Sequence, residues 1–521
     1  MLGVHRVKNG HTTVRKDRLS FPLILLFMPR PSCVFLNRSQ PSMSPASPSR
    51  AVATSIRLGP RECWIGAAVA AYLLMRLSPQ IEGLSPQGQA TLGAMASGAI
   101  LWMTEATPIG LTAIAVLVLL ALSPGARISE VAGGFSSEVV FFLIGAVAIG
   151  TAVEVSGLAE RAARFLSRIA RGSPARLYVQ MIASLPAFAV LVPSAITRNA
   201  ILIPAYRDAL ERMGIRQTDR GGRMLMLALG VLNPLASSAL LTGGLASITA
   251  ASLLGGFSWL RWFTLMSVPY YALLFGGALL LRCLVGPFEP AQPTHAGAQA
   301  RKPFTAIEVK TLAVLMATLT LWLTDGLHHL SPAIPALIGA SVLLAPGIGV
   351  LSWKSFESKL SWGIILSIGA ALSLAAAMTR SGAAAFISER AVSHLAGLAG
   401  QPTLLIIALI AAVALVHLAI TNLAACIALL IPVAATIAER ATLNPVVCGL
   451  VVTIVVDAVI LYPIQTATNL LAYETGYYTA RDVRRLGIGM LMLTVMVVLL
   501  VIPYWSMLGL PLPLTLTLTP Q

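Results

Sequence analysis

Two stretches of the chain set hydroxyl and amide side chains within apolar sequence. In the first, residues 191–205 (LVPSAITRNAILIPA), the polar residues are Ser194, Thr197, Arg198 and Asn199. In the second, residues 417–434 (HLAITNLAACIALLIPVA), they are Thr421 and Asn422. Polar groups in hydrocarbon are costly unless they pair within the protein or line a wet cavity, so both stretches predict functional sites.

A further break follows each of these stretches. In residues 240–251 (LLTGGLASITAA) it is formed by Thr242, Gly243 and Gly244. In residues 461–476 (LYPIQTATNLLAYETG) it is formed by Pro463, Thr466, Thr468 and Asn469. Gly-Gly and Tyr-Pro pairs inside a spanning helix unwind it and free backbone carbonyl groups. Corresponding breaks in two halves of a chain are typical of a transporter's central binding site.

These residue types can bind two kinds of ion. A hard cation such as sodium takes hydroxyl, amide and carbonyl oxygens, while helix N-termini attract an anion. The candidate sodium ligands are Ser194, Thr242, Gly243, Gly244, Thr421, Asn422, Pro463, Thr466 and Asn469. The candidate substrate ligands are Ser194, Thr197, Arg198, Asn199, Thr421, Asn422, Thr466 and Thr468. The alternatives are structural: hydroxyl groups bonded to their own helix, and an arginine paired with a nearby acid.

One acid, Asp457, lies inside an apolar run of the second half, TIVVDAVILYP. A carboxyl group at this depth either relays protons or pairs with a basic group, and the sequence leaves both open. A proton relay would favour a proton-coupled ion carrier of the arsenite permease or sodium/proton antiporter type. His417 stands alone near the second stretch and is interpreted as structural. No pair of acids or His/Glu pair lies at membrane depth, so we predict that the protein is not an enzyme.

The composition excludes a soluble protein. Hydrophobic residues make up 57% of the 521 residues and charged residues only 11%, with a mean hydropathy of +0.82. This predicts an all-α polytopic membrane protein surrounded by lipid. The net charge of +16 comes from Lys and Arg between apolar runs, which is not a nucleic-acid binding pattern. No nucleotide-binding loop or cysteine-based metal motif is present, so we expect no organic cofactor.

The chain repeats itself in order. Residues 101–125 match residues 321–347 in an LW-x-T-acid start and a Pro-Gly end, and residues 141–166 match residues 364–392. Each repeat is interpreted as short helices, a long helix, a re-entrant hairpin, a broken helix and a closing helix. That gives five crossings per repeat and about eleven in all. Because five is odd, the two repeats must be inverted.

Positive charge then orients the chain. With the N-terminus inside, the loops predicted cytoplasmic carry most of the interhelical Lys and Arg, as retention of positive charge in the cytoplasm requires. We predict a bacterial-type inner (plasma) membrane. The predicted segments are a basic disordered extension (1–60), a first transmembrane helix and link (61–90), a first repeat (91–290), a cytoplasmic linker (291–310), a second repeat (311–510) and a tail (511–521).

At these residues the chain resembles the divalent-anion:sodium symporters, which include the sodium/dicarboxylate, citrate and sulfate carriers. The resemblance is carried by LSPQGQATLGAMASGAILWMTEATPIGLTA near the start and by YPIQTATNLLAYETGYYTARDVRRLGIG near the end. It implies two inverted repeats with re-entrant hairpins, usually in a homodimer. Each hairpin tip of the family carries Ser-Asn-Thr, whereas here the tips read Ser194-Ala195-Ile196 and Thr421-Asn422-Leu423.

The resemblance implies a function as well as a fold. The expectation is a secondary active transporter that couples sodium ions to a small divalent anion, either a dicarboxylate such as succinate or malate, or sulfate. Arg198 lies four residues after Ser194, where some carboxylate carriers also have an arginine. The chain is a divergent member by this comparison, so the resemblance leaves the choice of anion open.

Overall fold

The computed structural model describes residues 59–169, 173–192, 194–288, 303–347, 349–394, 400–420 and 422–513. Every regular element in these ranges is helical, as predicted. The chain enters the described region through α1 (Pro60–Leu77), which a glycine and a proline introduce. The predicted extension before Gly59 and most of the predicted tail lie outside the described residues.

The first repeat contains eleven helices between residues 86 and 285 of the described chain. They are α2 (Pro86–Thr104), α3 (Ile109–Ala121), α4 (Ile128–Val131), α5 (Glu138–Val155), α6 (Leu158–Ile169), α7 (Pro174–Leu191), α8 (Ala195–Arg212), α9 (Arg220–Val231), α10 (Asn233–Ser238), α11 (Leu245–Leu253) and α12 (Trp259–Val285).

The second repeat follows almost the same order. Its helices are α13 (Ala306–Leu323), α14 (Asp325–His328), α15 (Ala333–Leu344), α16 (Trp353–Lys359), α17 (Trp362–Arg380), α18 (Ala383–His394), α19 (Pro402–Ala419), α20 (Leu423–Arg440), α21 (Pro445–Ala458), α22 (Ala467–Tyr473) and α23 (Ala480–Met507). The hairpin arms α7 and α8 thus correspond to α19 and α20, and the closing helix α12 corresponds to α23.

Both repeats start earlier than the sequence predicted. Helix α2 begins at Pro86 rather than at residue 91, and α13 begins at Ala306, inside the range predicted as a linker. The reason is local capping. The Ser85 hydroxyl accepts a hydrogen bond from the Gly88 backbone N–H, and Thr305 forms a reciprocal capping box with Glu308, so both helices gain a stable first turn.

The closing helices show directly that the repeats are inverted. The Tyr504 hydroxyl near the end of α23 donates to the Thr264 carbonyl near the start of α12, at 2.5 Å. Farther along, the space beside Gly276 is filled by Leu493, which lies earlier in α23. The two helices therefore run antiparallel. Because they are counterparts, the operation that relates the repeats reverses the helix direction, as predicted from the odd number of crossings.

In the remaining packing, helices of one repeat contact helices of the other repeat. The long helix α5 packs against α15 while its counterpart α17 packs against α3, which is the counterpart of α15. The hairpin arm α8 packs against α22, and its counterpart α20 packs against α11. Such reciprocal contacts are what a two-fold relation produces. Each hairpin consequently lies beside the broken helix of the other repeat.

Eight helices in the described ranges are long and apolar enough to cross a bilayer. They are α5, α7, α12, α13, α17, α19, α20 and α23. Three shorter apolar helices, α3, α15 and α21, have between 10 and 17 residues. A crossing of about 30 Å needs about 20 helical residues, so the shorter helices need partners to complete it. Helix α21 is continued after its break by α22, as predicted for a broken helix.

Candidate functional site

The first hairpin tip presents a serine hydroxyl at a helix N-terminus. Ser194 caps α8, where its Oγ accepts hydrogen bonds from the Thr197 backbone N–H at 3.2 Å and from the Thr197 hydroxyl at 3.1 Å. Ser194 is exposed at the tip. Its own O–H donor and the positive end of an 18-residue helix are therefore accessible to a ligand.

The guanidinium of Arg198 points into the protein. The side chain is fully buried, and Nη1 donates to the Val192 carbonyl oxygen at 2.8 Å. Nε donates to Asn233 Oδ1 at 2.8 Å, while Nη2 donates to the Asn233 carbonyl oxygen and to Ser237 Oγ, both at 2.9 Å. Arg198 thus joins the hairpin tip to α10. In this conformation its charge is turned away from a ligand at Ser194.

Asn199 connects the first tip to the break of the second repeat. Its Nδ2 donates to the carbonyl oxygens of Leu229 and Thr468, each at 3.0 Å. Its Oδ1 accepts from Asn233 Nδ2 at 2.7 Å. Asn233 is a central member of this hydrogen-bond network that the sequence analysis did not predict. The signal was an Asn-Pro pair inside an apolar run, which resembles the breaks that were selected.

The second hairpin tip is capped in the same way as the first. Asn422 caps α20, and its Oδ1 accepts from the Ala425 backbone N–H at 3.0 Å. Thr421, the other predicted ligand at this tip, lies outside the described residues. His417 is fully buried, and its Nδ1 lies 3.1 Å from the Ile420 carbonyl oxygen. The imidazole therefore shapes the chain as it enters the tip.

The break in the second repeat brings several predicted ligands together. Thr466 caps α22 by accepting from the Asn469 backbone N–H at 3.3 Å, and its hydroxyl lies 3.2 Å from that of Thr468. Pro463 begins a 3-10 turn before this cap. Asn469 is fully buried, and its Oδ1 accepts from the Tyr478 hydroxyl at 2.7 Å. The Asn469 side chain is thus hydrogen-bonded within the protein. The Thr466 and Thr468 hydroxyl groups lie within hydrogen-bonding distance of each other.

Gln465 organises this break and was also missed. Its Oε1 accepts from the Leu461 backbone N–H at 2.7 Å, and its Nε2 donates to the Val459 carbonyl oxygen at 3.1 Å. The amide side chain therefore replaces backbone hydrogen bonds that the unwound segment cannot make for itself. Its position between the candidate ligands Pro463 and Thr466 was the sequence signal that could have identified it.

At the break in the first repeat, the backbone of a tight turn packs closely against the backbone of α10. Thr242 and Gly243 lie in a buried 3-10 turn, and Gly244 continues it with an extended backbone. A Cβ atom added to Gly243 would come within 1.6 Å of the Ser237 carbonyl oxygen. Only glycine allows the chain to double back here, so the three predicted ligands occupy one turn beside α10.

An open cavity of about 500 Å³ leads to the second tip. One wall is the elbow between α2 and α3, and the other is the second tip with its neighbouring break. The polar residues that line the cavity are Arg61, Glu105, Thr107, Thr112, Asn422 and Gln465. The Trp102 indole N–H also borders it and has no hydrogen-bond partner within the described part of the chain. A solvated ligand can therefore reach Asn422 in this conformation.

The chain matches a known family of membrane proteins over most of its length. The family model described as the sodium:sulfate symporter transmembrane region matches residues 63–511. The chain belongs to this family. The match covers both hairpins and both breaks, so the sequence resemblance to divalent-anion:sodium symporters is confirmed.

Individual relatives are distant but nearly complete. The chain is 26% identical to a membrane protein of Cupriavidus necator over 85% of this chain and 92% of that protein. It is 25% identical to a citrate/succinate antiporter of Escherichia coli over 80% and 91% of the two chains. It is 24% identical to a sodium-dependent dicarboxylate transporter of Staphylococcus saprophyticus over 83% and 88%. The latter two relatives are transporters of small anions and the chain belongs to the same family, so it is a membrane transport protein.

A solved structure supports the fold. The crystal structure of the Alcanivorax borkumensis YdaH transporter, described as having an unusual topology, aligns with a TM-score of 0.51. The alignment covers 73% of this chain and 88% of that chain at 16% identity. At this identity the likeness concerns the architecture alone.

Proposed function

We propose that this protein is a sodium-coupled symporter of a small divalent anion, either a dicarboxylate such as succinate or malate, or sulfate. The family supports anion transport, and a sodium-dependent dicarboxylate transporter is among the relatives. The bacterial relatives and the distribution of Lys and Arg favour the bacterial plasma membrane with a cytoplasmic N-terminus. The family resemblance favours a homodimer.

The observation that carries this proposal is the contact between each hairpin and the opposite break. Helix α8 packs against α22, and Asn199 hydrogen-bonds the Thr468 carbonyl group between them. Helix α20 packs against α11 after the first break. Hydroxyl groups, amide groups and helix N-termini from both repeats therefore come together at each of these two contacts, which suits the binding of a cation and an anion.

At these two contacts we assign ligands for sodium and ligands for the anion. Sodium would be held by oxygen atoms at the tips and breaks, chiefly those of Ser194, Asn422 and Thr466 with Thr421 and the turn at Thr242–Gly244. The anion would meet Ser194, Thr197, Thr466 and Thr468 beside the helix N-termini. Arg198 and Asn199 would support the anion site from behind, because both are buried against the protein. Bound sodium would offset the negative charge that the anion brings into the membrane.

The proposal is tested with purified protein in liposomes. Uptake of labelled succinate and of labelled sulfate is measured with an inward sodium gradient and with potassium in its place. We expect one anion to accumulate only with sodium, and unlabelled anion of the same class to compete. Equal uptake in sodium and potassium would contradict sodium coupling, and failure to take up either anion would contradict the substrate class.

A further inference from the structure

Asp457 is a buried acid that the proposed sodium and anion sites do not use. It is 4% exposed, and its Oδ2 accepts a hydrogen bond of 2.7 Å from the hydroxyl of Tyr270, which is fully buried. Among the residues that the structure describes, no Lys, Arg or His forms an ion pair with Asp457. The alternative of an arginine partner, which the sequence left open, is therefore not realised here.

The surroundings disfavour a negative charge on this carboxyl group. Asp457 is the next-to-last residue of α21, where the backbone carbonyl groups present the negative end of the helix dipole. The helices that pack against α21 carry three buried titratable side chains among the described residues, namely Tyr270 on α12, His417 on α19 and Cys426 on α20. The described residues of α10, α11 and the buried part of α23 include no buried titratable side chain. An ionised carboxylate without a cationic partner is costly in such a place.

The position of Asp457 connects it to both breaks. The unwound segment of the second repeat starts directly after Ala458. The Ser238 side chain, which ends α10 just before the first break, lies in the same cluster with Tyr270. A change of charge on Asp457 would therefore act on the two segments that are proposed to hold the transported ions.

We propose that Asp457 binds a proton that crosses the membrane together with the anion. This inference rests on the proposed anion transport and adds a second coupling ion to it. The carboxylate takes the proton from the outer solution, and the neutral acid moves with the loaded site. The proton is released to the inner solution, which leaves the carboxylate. Tyr270 keeps its own proton throughout and stabilises the ionised form by donating to Oδ2.

The test measures proton movement directly. Liposomes that contain the full-length protein and a trapped pH indicator receive the anion that the uptake experiment identifies, with sodium present. We expect the anion to acidify the lumen with wild-type protein. Asp457→Asn, which mimics the neutral acid, should still exchange internal for external labelled anion but should move no protons. Asp208→Asn removes an exposed acid that pairs with Arg212 on α8 and serves as the matched control.

The pH dependence of uptake by Tyr270→Phe provides a second, independent test of the proton site. Loss of the donated hydrogen bond removes stabilisation of the carboxylate, so Asp457 should keep its proton to higher pH. Uptake needs the protonated form and declines as the external pH rises, and in Tyr270→Phe this decline should move to higher pH. An unchanged decline would contradict the assignment, even if Asp457→Asn fails to fold.

Different results would contradict the proton site at Asp457 and the proposed anion transport. Sodium-dependent anion uptake without acidification by the wild type would overturn the proton site and leave the proposed function intact. Persistent proton movement by Asp457→Asn would also overturn it. Absence of anion uptake under every condition would overturn the proposed function and this inference together.

Discussion

At the scale of single residues, Arg198 shows how a charged side chain can serve a binding site indirectly. Its guanidinium donates to oxygen atoms of Val192, Asn233 and Ser237, and so fixes the N-terminal turn of α8 against α10. The planar fork of an arginine suits this geometry, whereas the single ammonium group of a lysine does not. The tip with Ser194 is thereby held in place without exposing the charge.

Substitution of Arg198 tests this positioning role. Arg198→Gln leaves buried acceptors unsatisfied, so we expect the protein to lose about 1 to 3 kcal/mol of stability. Thermal unfolding in detergent measures this loss, and anion affinity should fall with it. Arg212→Gln, at an exposed ion pair on the same helix, should change stability by less than about 1 kcal/mol. Unchanged stability with lost anion affinity would instead indicate direct contact between Arg198 and the anion.

Asn422 offers a test of the sodium site. Asn422→Ala removes a helix cap, at a cost of about 1 kcal/mol, and also removes an amide oxygen that we assign to sodium. We expect a higher sodium concentration for half-maximal uptake, with anion affinity recovering at high sodium, as linkage requires. Asn444→Ala removes an equivalent asparagine cap from α21 and should leave the sodium dependence unchanged. Equal sodium dependence in both variants would remove Asn422 from the site.

At the scale of elements, the two repeats attach their hairpins differently. Helix α6, which leads into the first hairpin, carries Arg161, whose Nε donates to Glu308 Oε1 on α13 at 2.6 Å. Its Nη2 donates to Oε2 of the same carboxylate at 2.8 Å, and the guanidinium lies over the Phe304 ring. The equivalent junction in the other half is the uncharged contact of the Ser85 hydroxyl with the Ser381 carbonyl oxygen. The helix that leads into the first hairpin is therefore joined to α13 by a short bidentate ion pair, whereas the ion pair described at the base of the second hairpin is the exposed one between Arg440 and Glu389, at 3.9 Å.

Removal of one partner tests the importance of this ion pair. Arg161→Met leaves a nearly buried carboxylate without its bidentate donor, so we expect a loss of about 1.5 to 3 kcal/mol in unfolding free energy. The exposed pair between Lys359 and Glu154 is the control, because Lys359→Met should cost at most about 1 kcal/mol. Equal effects in the two variants would mean that the junction at α6 contributes no more than a surface contact.

Adjacent glycines in the first break give a sharper test of backbone geometry. Gly243→Ala places a methyl group against the Ser237 carbonyl, so the turn must open and transport should be lost. Gly244→Ala meets no atom within 4 Å and keeps an extended backbone, so uptake should remain near the wild-type rate. The comparison uses initial uptake rates at equal amounts of folded protein. Tolerance of both substitutions would show that the turn is not needed for transport.

At the scale of the whole molecule, the inverted repeats define which surfaces face each side of the membrane. A cysteine introduced at Thr218, after the first hairpin, should react with an impermeant reagent only from the cytoplasm. A cysteine at Thr442, after the second hairpin, should react only from outside. Cys33, Cys63 and Cys283 are first replaced by serine, and Cys426 and Cys448 are buried. Labelling of both positions from the same side would contradict the proposed orientation.

The sequence by itself determined the architecture of this protein. Hydropathy fixed its class, because long apolar helices satisfy their own backbone groups and need lipid around them. The ordered repeats and their odd number of crossings predicted the inversion that the antiparallel α12 and α23 confirm. The tips at Ser194 and Asn422 could also be found, since polar residues in apolar runs stand out locally.

Only the tertiary structure decided which partners those residues meet. Arg198 looked like an anion ligand because a buried charge needs a counterpart, yet Asn233 and Ser237 supply the oxygen atoms from a helix that is more than 30 residues away. Asp457 likewise finds Tyr270 on the other repeat. The local sequence shows which polar groups must be buried at a cost in free energy. The groups that offset this cost are determined by packing between distant segments of the chain.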